Sequence, residues 1–271
     1  MPKAIQFYRL LNTLSLDVVA GAMVCALYFG RIFHVSIGSA ALTALLLTVW
    51  IIYTADHLRD ARRIQGPAST ARHRFHQRHF KTILIVLVVM TIFDAVTLFF
   101  LDPRTLKWGA LLMAVVIIYL ISHHYLKYLK EIFIAVMYTC GIILPSWSIA
   151  DAALGSEHAV LILQFVILAL INLLLFSWFD RKVDKQDNQH SFVTIVGDHR
   201  TTNVIWFLIG MEIFLTIVQI RAGVLEVPAL LFGCMSLALL LILGFRHKLA
   251  ENDYYRLLGD AVFIIPALYL F

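Results

Sequence analysis

Charge is what this sequence has least of. Only 14% of its 271 residues are Asp, Glu, Lys or Arg, whereas 61% are hydrophobic, and the mean hydropathy is +0.85. Because soluble globular domains carry about a quarter charged residues, this composition excludes an ordinary soluble enzyme or binding domain. We expect an all-α polytopic membrane protein that is surrounded by membrane lipid.

Cysteine is also scarce. The three cysteines, Cys25, Cys140 and Cys234, stand singly inside apolar segments, and no C-x-x-C spacing occurs. The sequence therefore indicates neither a disulfide framework nor a zinc site, and we expect all three thiols in the core.

The motif D-G-x-x-A-R followed by G-x-x-x-D-x-x-x-D is missing as well, which excludes the CDP-alcohol phosphotransferases.

Apolar runs that are long enough to cross the hydrocarbon core as helices recur along the whole chain. We predict nine transmembrane helices that form one domain, 1–271. The first run contains Asp17 and lacks a small-residue cleavage site, so we expect a retained helix and not a signal peptide. The predicted spans are 14–33, 36–55, 80–101, 106–126, 132–150, 158–179, 202–221, 224–245 and 255–271.

Basic residues gather on one side of the predicted bundle. With a cytoplasmic N-terminus, the 22 Lys and Arg residues lie on the cytoplasmic side, except Arg31, Arg104, Lys107 and Arg221. Since basic loops stay in the cytoplasm, we predict an integral protein of the cell (inner) membrane with cytoplasmic active-site loops and its C-terminus opposite. The same bias explains the net charge of +5, and no pattern of basic and aromatic residues indicates nucleic-acid binding.

Two pairs of aspartates stand at the ends of apolar spans. Asp56 and Asp60 follow the second span, and Asp180 and Asp184 follow the sixth. The four-residue spacing places both carboxylates of a pair on one helix face, which Asp187 extends in the second pair. One such pair alone is usually a solvated, salt-bridged helix end. Two pairs on one membrane side, each opening a long polar segment, predict a site for Mg²⁺ and a diphosphate.

The arrangement resembles the UbiA superfamily of intramembrane prenyltransferases. The resemblance covers nearly the whole chain and rests on aspartate motifs after the second and sixth spans, a Lys-rich turn before the fifth and a polar stretch before the seventh. The family's first motif reads N-D-x-x-D-x-x-x-D, and its leading Asn and Asp correspond here to Ile52 and Tyr53. The other matching stretches are Tyr125 to Glu131, Asp180 to Asp184, Ser191 to Gly197 and Thr201-Thr202.

The resemblance implies nine helices around a lipid-open central cavity and a Mg²⁺-dependent enzyme. Such an enzyme ionises an isoprenyl diphosphate and transfers the prenyl group to an aromatic or otherwise lipophilic acceptor. The implied catalytic and metal-binding residues are Asp56, Asp60, Asp180 and Asp184, with Asp187 as a further metal ligand. Arg59, Arg63 and Lys127 or Lys130 would neutralise the diphosphate.

Aromatic side chains lie just inside the predicted acidic rim. Among them, Tyr53 and Tyr125 are candidates for substrate binding, because ring faces can hold the carbocation that forms when the diphosphate leaves. Aromatic residues at this depth are also ordinary anchors at the membrane interface. The sequence leaves both interpretations open.

Two other functions remain open at this stage. The altered first motif is compatible with a membrane terpene cyclase, in which a double bond of the substrate itself captures the cation. Acids inside the spans, namely Asp17, Asp94, Glu212 and Asp260, would suit a transporter, but the aspartate pairs lie at one membrane face and not at the midplane. Asp260 lies one turn after Arg256 and is expected to pair with it.

A histidine repeat lies in the first polar segment. His73, His76 and His79 recur every three residues among arginines. The favoured interpretation is a basic helix that lies on anionic headgroups or gates the cavity. A transition-metal site is the alternative.

Overall fold

The structure is a computed structural model that describes residues 3–64, 66–122, 129–151, 155–187 and 191–271. In these ranges every regular element is an α-helix or a short 3₁₀ helix, so the predicted all-α class is confirmed. Short 3₁₀ helices follow α5, α12 and α13, the last of them Val262–Tyr269. The α-helices are α1 Lys3–Thr13, α2 Leu16–Ile32, α3 Ser39–Arg63, α4 Ala71–Arg78, α5 Phe80–Thr97, α6 Pro103–Ser122, α7 Lys130–Trp147, α8 Ser156–Gln186, α9 Phe192–Val196, α10 Asp198–Ala222, α11 Glu226–Gly244, α12 Arg246–Leu249 and α13 Tyr254–Ala261.

Six helices in the described ranges are long and apolar enough to cross a membrane, and there are seven such spans if α1 and α2 count as one bent span. The chain is therefore an integral membrane protein, but the predicted count of nine spans is not confirmed. The predicted last span, 255–271, divides into α13 and a 3₁₀ helix that contains Pro266, whose ring cannot continue an α-helix. The six helices are Ser39–Arg63, Phe80–Phe100, Lys130–Trp147, Ser156–Gln186, Asp198–Ala222 and Glu226–Gly244.

A buried corner joins α1 to α2, which meet at an angle of 80°. Ser15 adopts a left-handed conformation there, with φ of 57°, and interrupts the helix. The backbone carbonyl of Leu14 accepts a hydrogen bond from Trp50 Nε1 on α3 (3.1 Å), and Asn12 donates to Asp17 across the corner (2.6 Å). These contacts satisfy the polar groups that the break in the helix exposes. They also give Asp17 a partner inside the protein, so that it does not face lipid.

Helix α8 occupies the centre of the bundle. It packs against α7, α10 and α11, and the ring of Phe165 lies 5.3 Å from that of Phe29 on α2 and 5.8 Å from that of Phe232 on α11. In contrast, α5 is apolar all round and mostly exposed, as expected for a helix that faces lipid. The end of α8 that carries the second aspartate pair therefore emerges from the middle of the bundle.

Acidic residues within the bundle have polar partners on neighbouring elements. Glu212 accepts a hydrogen bond from Gln164 (3.1 Å), and Asp94 accepts one from Thr48 (2.9 Å). Asp260 accepts one from Asn12 (2.9 Å), whereas Arg256 forms its ion pair with Asp180. The expected ion pair between Arg256 and Asp260 is thus wrong, because the helix end of α8 supplies a closer carboxylate.

The three cysteines occupy different environments. Cys25 is fully buried, and its thiol donates to the carbonyl of Phe263 (3.2 Å). Cys140 is half-buried and Cys234 is exposed, so the expectation of three core thiols is right for Cys25 alone. On a membrane span an exposed thiol behaves as a small apolar group, which explains how Cys234 is accommodated.

We expect Gly259→Ala to destabilise the protein. A Cβ at Gly259 would lie 2.6 Å from Phe176 Cε1 and 2.7 Å from Asn172 Oδ1, so these two buried or half-buried side chains of α8 would have to shift, at a cost of about 1–3 kcal/mol. Thermal unfolding in detergent would measure the change. Gly210→Ala is the matched control, because nothing lies within 4 Å of its Cβ and alanine favours the helix. Equal stability of the two variants would contradict this close packing.

Candidate active site

The first aspartate pair lies on the last turns of α3, as its spacing predicts. Asp56 forms an ion pair with Arg59, and the same guanidinium lies 3.9 Å from Asp60. Arg63 is exposed one turn further on, and its charge acts on Asp60. The first pair is thus partly neutralised by arginines of its own helix.

The second pair lies on the last turns of α8, and its first carboxylate is fully engaged. Asp180 accepts hydrogen bonds from the hydroxyl of Tyr255 and the guanidinium of Arg256, one on each oxygen. The side chains of Asp180 and Arg256 are only 13% and 16% exposed. Sequence reasoning missed this role of Arg256, because no local spacing identifies a partner on another helix.

The two pairs meet at the same end of the bundle. Lys130, at the start of α7, interacts electrostatically with both Asp60 and Asp184. Ser69, in the connection between α3 and α4, donates a hydrogen bond to Asp187 just beyond α8 (2.9 Å). We call the region that contains Asp56, Asp60, Asp180, Asp184 and Asp187 the acidic end.

The residues predicted to bind the diphosphate are distributed unevenly. Arg59, Arg63 and Lys130 lie at the acidic end, and Tyr53 lies one helical turn before Asp56. Lys127 and Tyr125 lie outside the described residues. For these two positions the sequence-based assignment stays a prediction.

Arg72, on α4, is a further cation at the acidic end that sequence reasoning did not single out. It interacts electrostatically with Arg256, Asp180 and Asp260. Burial lowers the pKa of its guanidinium to about 10, and the charge of Arg256 acts in the same direction. Arg72 therefore remains positive at neutral pH. In the sequence it is one of seven similar bases between Arg59 and Lys81, and no signal distinguishes it.

Helix α4 packs against α3 at the acidic end. Thr70 caps the helix, because its hydroxyl accepts a hydrogen bond from the backbone N–H of His73 (3.1 Å). The amide of Gln77 donates to two backbone carbonyls, one on α3 and one in the loop after it (3.1 Å each). His73 and His76 are 7% and 1% exposed. This burial favours the gating interpretation of the segment over a helix that lies on headgroups.

The histidine repeat does not form a metal site. His79 is exposed, and its ring packs against Phe75 with centroids 4.7 Å apart, whereas His73 and His76 point into the protein. In the part of the chain that the structure describes, no three His, Cys, Asp or Glu side chains lie close enough to hold a metal ion. Burial lowers the pKa of His73 to about 4, with Arg72 acting in the same direction, and burial also lowers the pKa of His76.

The acidic end nevertheless has the donor chemistry of a Mg²⁺ site. Mg²⁺ takes one or two carboxylates and fills its other positions with water and phosphate oxygens, so it does not require a preformed cage of three acids. Asp187 has one buried carboxylate oxygen without a hydrogen-bond partner, and Asp184 precedes it by one turn. One or two of the carboxylates of Asp60, Asp184 and Asp187 therefore fit Mg²⁺ when oxygens from outside the protein fill its other positions, whereas both oxygens of Asp180 already accept hydrogen bonds.

A small cavity lies below the acidic end. Its volume is about 30 Å³, enough for one water molecule, and its walls include the rings of Tyr53, Tyr138 and Phe263 and the polar side chains of Asn172 and Asp260. Tyr53 precedes Asp56 by three residues, which is about 4.5 Å along the helix. The cavity is therefore about one helical turn deeper than the first aspartate pair.

We expect a strong energetic coupling between Asp180 and Arg256. Removing one partner leaves the other charge buried and unpaired, which costs about 3–5 kcal/mol, whereas the double variant Asp180→Asn/Arg256→Gln loses both charges. A double-mutant cycle on thermal unfolding measures this coupling. The cycle on Asp151 and Arg104, an exposed pair at 2.9 Å, is the matched control and should show no measurable coupling. Additive effects at Asp180 and Arg256 would contradict the structure.

The pKa of His73 predicts that α4 loosens in acid. Because its pKa is about 4 in the folded protein and ordinarily 6.5, the unfolded segment binds the proton first. Stability is therefore complete above pH 6.5 and falls, by an amount on the order of 3 kcal/mol, as the pH drops to 4. Hydrogen exchange of the α4 amides, corrected for the intrinsic rate, measures this. His73→Gln should weaken the dependence and His79→Gln should retain it; an unchanged dependence in His73→Gln would exclude His73 as its source.

Comparison with known proteins identifies the fold. No protein-family model matches the chain, and no curated protein matches it. A solved structure does, that of a UbiA homolog from Archaeoglobus fulgidus bound to DMAPP and Mg²⁺, which aligns with 96% of this chain and 98% of its own at a TM-score of 0.67 and 13% sequence identity. At this identity the likeness shows the fold alone. The resemblance inferred from the aspartate motifs is confirmed at that level: the chain is an integral membrane protein with a UbiA-like fold.

Proposed function

We propose that the chain is a Mg²⁺-dependent prenyltransferase, which ionises an isoprenyl diphosphate and transfers the prenyl group to an aromatic or otherwise lipophilic acceptor. One observation carries the proposal: two acidic motifs from distant parts of the sequence meet above an aromatic-lined cavity in a UbiA-like bundle. The Archaeoglobus fulgidus protein of this fold binds DMAPP and Mg²⁺. The same chemistry suits the donors at the acidic end.

The diphosphate would bind among the cations of the acidic end. Lys130 faces both motifs, and Arg72 and Arg256 lie beside Asp180. These charges stabilise the negative charge that develops on the leaving group. Mg²⁺, when held by carboxylates of both motifs, supplies further neutralisation of the phosphate oxygens.

Two of the predicted metal ligands would change partners on substrate binding. Asp56 is engaged by Arg59, and Asp180 by Arg256. Guanidinium groups bind phosphate oxygens well, so a diphosphate that attracts these two arginines would free Asp56 and Asp180. The proposed ligand set of Asp56, Asp60, Asp180, Asp184 and Asp187 would then be complete.

The carbocation would lie beside the residues that line the cavity, which would have to widen on substrate binding, because its volume of about 30 Å³ holds only one water molecule. Its mostly apolar lining would then exclude bulk water from the cation, and the ring faces of Tyr53 and Tyr138 can stabilise positive charge. Tyr53 also favours a second candidate, the terpene cyclase, because an aromatic wall in place of a motif carboxylate suits capture of the cation by the substrate's own double bond. We propose the whole chain, 1–271, as one catalytic domain with its acidic end on the cytoplasmic side of the cell membrane.

We expect Asp60→Ala and Asp184→Ala to slow diphosphate release at least ~100-fold, because each removes a carboxylate that stabilises the departing group through Mg²⁺. The assay uses purified full-length protein in lipid nanodiscs, Mg²⁺ and isoprenyl diphosphates of several chain lengths. Asp151→Ala is the control: its carboxylate is exposed beyond the far end of α7, and the rate should not change.

The outcomes of this assay separate the candidate functions. Absence of release by the wild type with every substrate, or unchanged rates in both variants, would refute the proposal. A cyclic hydrocarbon or alcohol formed without an acceptor would support the cyclase. Flux of an unaltered substrate across liposomes would support a transporter instead.

A further inference from the structure

Two carboxylates share one amide inside the bundle, close to the cavity. The side-chain nitrogen of Asn12 donates to Asp17 (2.6 Å) and to Asp260 (2.9 Å). Asn12 and Asp17 are only 9% and 4% exposed. The contact joins the corner between α1 and α2 to α13. None of these three residues belongs to the aspartate motifs at the acidic end. Metal and diphosphate binding, as proposed above, therefore gives them no role.

Asp260 faces the cavity, and a second polar group there lacks a partner. Asp260 and Asn172 both line the cavity, and Asn172 is 6% exposed with no hydrogen-bond partner for its side-chain oxygen. A buried polar atom normally has a partner, and the cavity has room for one water molecule. The cavity therefore brings two polar side chains, those of Asp260 and Asn172, beside a space the size of one water molecule.

The charged groups around Asp260 have a net charge that one proton would neutralise. Arg72 interacts electrostatically with Asp17, Asp180 and Asp260, and Arg256 interacts with Asp180 and Asp260. When all five groups are ionised, the group carries one excess negative charge. Away from water such a charge is costly, so a carboxylate of this group is a stronger proton acceptor than a carboxylate in water.

We infer that Asp260 accepts the proton that the reaction releases, and that Asp17 and Asn12 position it. The inference rests on the proposed function and holds for transfer and cyclisation alike. After the C–O bond has broken and the new C–C bond has formed, a carbocation with an adjacent C–H bond remains. That C–H bond breaks, its electron pair forms a C=C bond or restores an aromatic ring, and the proton passes to a carboxylate oxygen of Asp260. The step needs no oxidant or other co-reactant.

Position distinguishes Asp260 from the other acids of the bundle. Among the described residues that line the cavity, it alone is acidic. Asp94 lies on the lipid-facing helix α5 and accepts a hydrogen bond from Thr48, and Glu212 accepts one from Gln164 between α8 and α10. The motif aspartates lie at least one turn higher, beside arginines and the proposed metal ion. Asp56 and Asp180 are already engaged by Arg59 and Arg256, and none of the motif aspartates lines the cavity.

The test separates ionisation from proton loss. Wild type, Asp260→Asn, Asp260→Glu, Asp17→Asn and Asn12→Ala are incubated as full-length proteins in nanodiscs with Mg²⁺ and isoprenyl diphosphates, with and without a phenolic acceptor. Diphosphate release reports ionisation, and mass spectrometry gives the ratio of proton-loss product to the alcohol formed when water captures the cation. Asp94→Asn is the control, since it removes another bundle aspartate that is remote from the cavity.

In Asp260→Asn we expect the ratio of proton-loss product to alcohol to fall ~100-fold or more, the usual contribution of a general base, and this loss should exceed any change in the rate of diphosphate release. Asp260→Glu should restore part of the ratio, Asp17→Asn and Asn12→Ala should lower it less, and Asp94→Asn should leave it unchanged. If Asp260→Asn does not fold, Asp17→Asn and Asn12→Ala decide.

Two outcomes overturn the inference in distinguishable ways. A wild-type product ratio in Asp260→Asn, or in both positioning variants when Asp260→Asn does not fold, refutes the role of Asp260 and leaves the proposed function standing. Absence of diphosphate release by the wild type refutes the proposed function, and the role of Asp260 with it.

Discussion

The ion pair between Asp180 and Arg256 is the constraint on which the arrangement of the acidic end depends. Both groups are buried, and a buried charge that lacks its partner is strongly unfavourable. The pair therefore holds α13 against the end of α8, with Tyr255 donating to the same carboxylate. Since Asp260 lies one turn after Arg256, the same contact places Asp260 beside the cavity. One electrostatic contact thus fixes both a motif carboxylate and the acid below it.

Basic residues from three separate parts of the chain balance the acidic end. Arg59 comes from α3, Arg72 from α4 and Lys130 from α7, and each interacts with a motif aspartate. In the absence of substrate these cations neutralise the carboxylates and offset the free-energy cost of burying them partly. The same cations match a diphosphate in charge, so substrate binding would exchange one set of anionic partners for another. On the proposed function, this exchange would explain how a site for two strongly charged ligands can be stable without them.

Local patterns predicted the helices and the two aspartate faces, because hydrophobic runs and a four-residue spacing depend only on neighbouring residues. Contacts between distant helices were beyond such reasoning. The pairing of Asp180 with Arg256 instead of Asp260 with Arg256, and the choice of Arg72 among similar bases, depend on how helices pack. The count of nine spans is not confirmed for a related reason: the corner at Ser15 and the 3₁₀ helix containing Pro266 are properties of the backbone that hydropathy does not report.

Tyr53 connects the reduced first motif with the cavity. It stands where the family motif has a carboxylate, and its ring forms part of the cavity wall. Its hydroxyl interacts electrostatically with Asp260, Asp56 and Asp17, so acids lie on both sides of it. Compared with the family's first motif, this chain has one carboxylate fewer at the rim, and one carboxylate, that of Asp260, lines the cavity. On the proposed function, one rim acid fewer would weaken metal binding, whereas an acid beside the cavity would be in place to act on the carbon skeleton. On the proposed mechanism, the distinctive chemistry of this protein therefore lies in how the carbocation loses its proton, more than in how the diphosphate leaves.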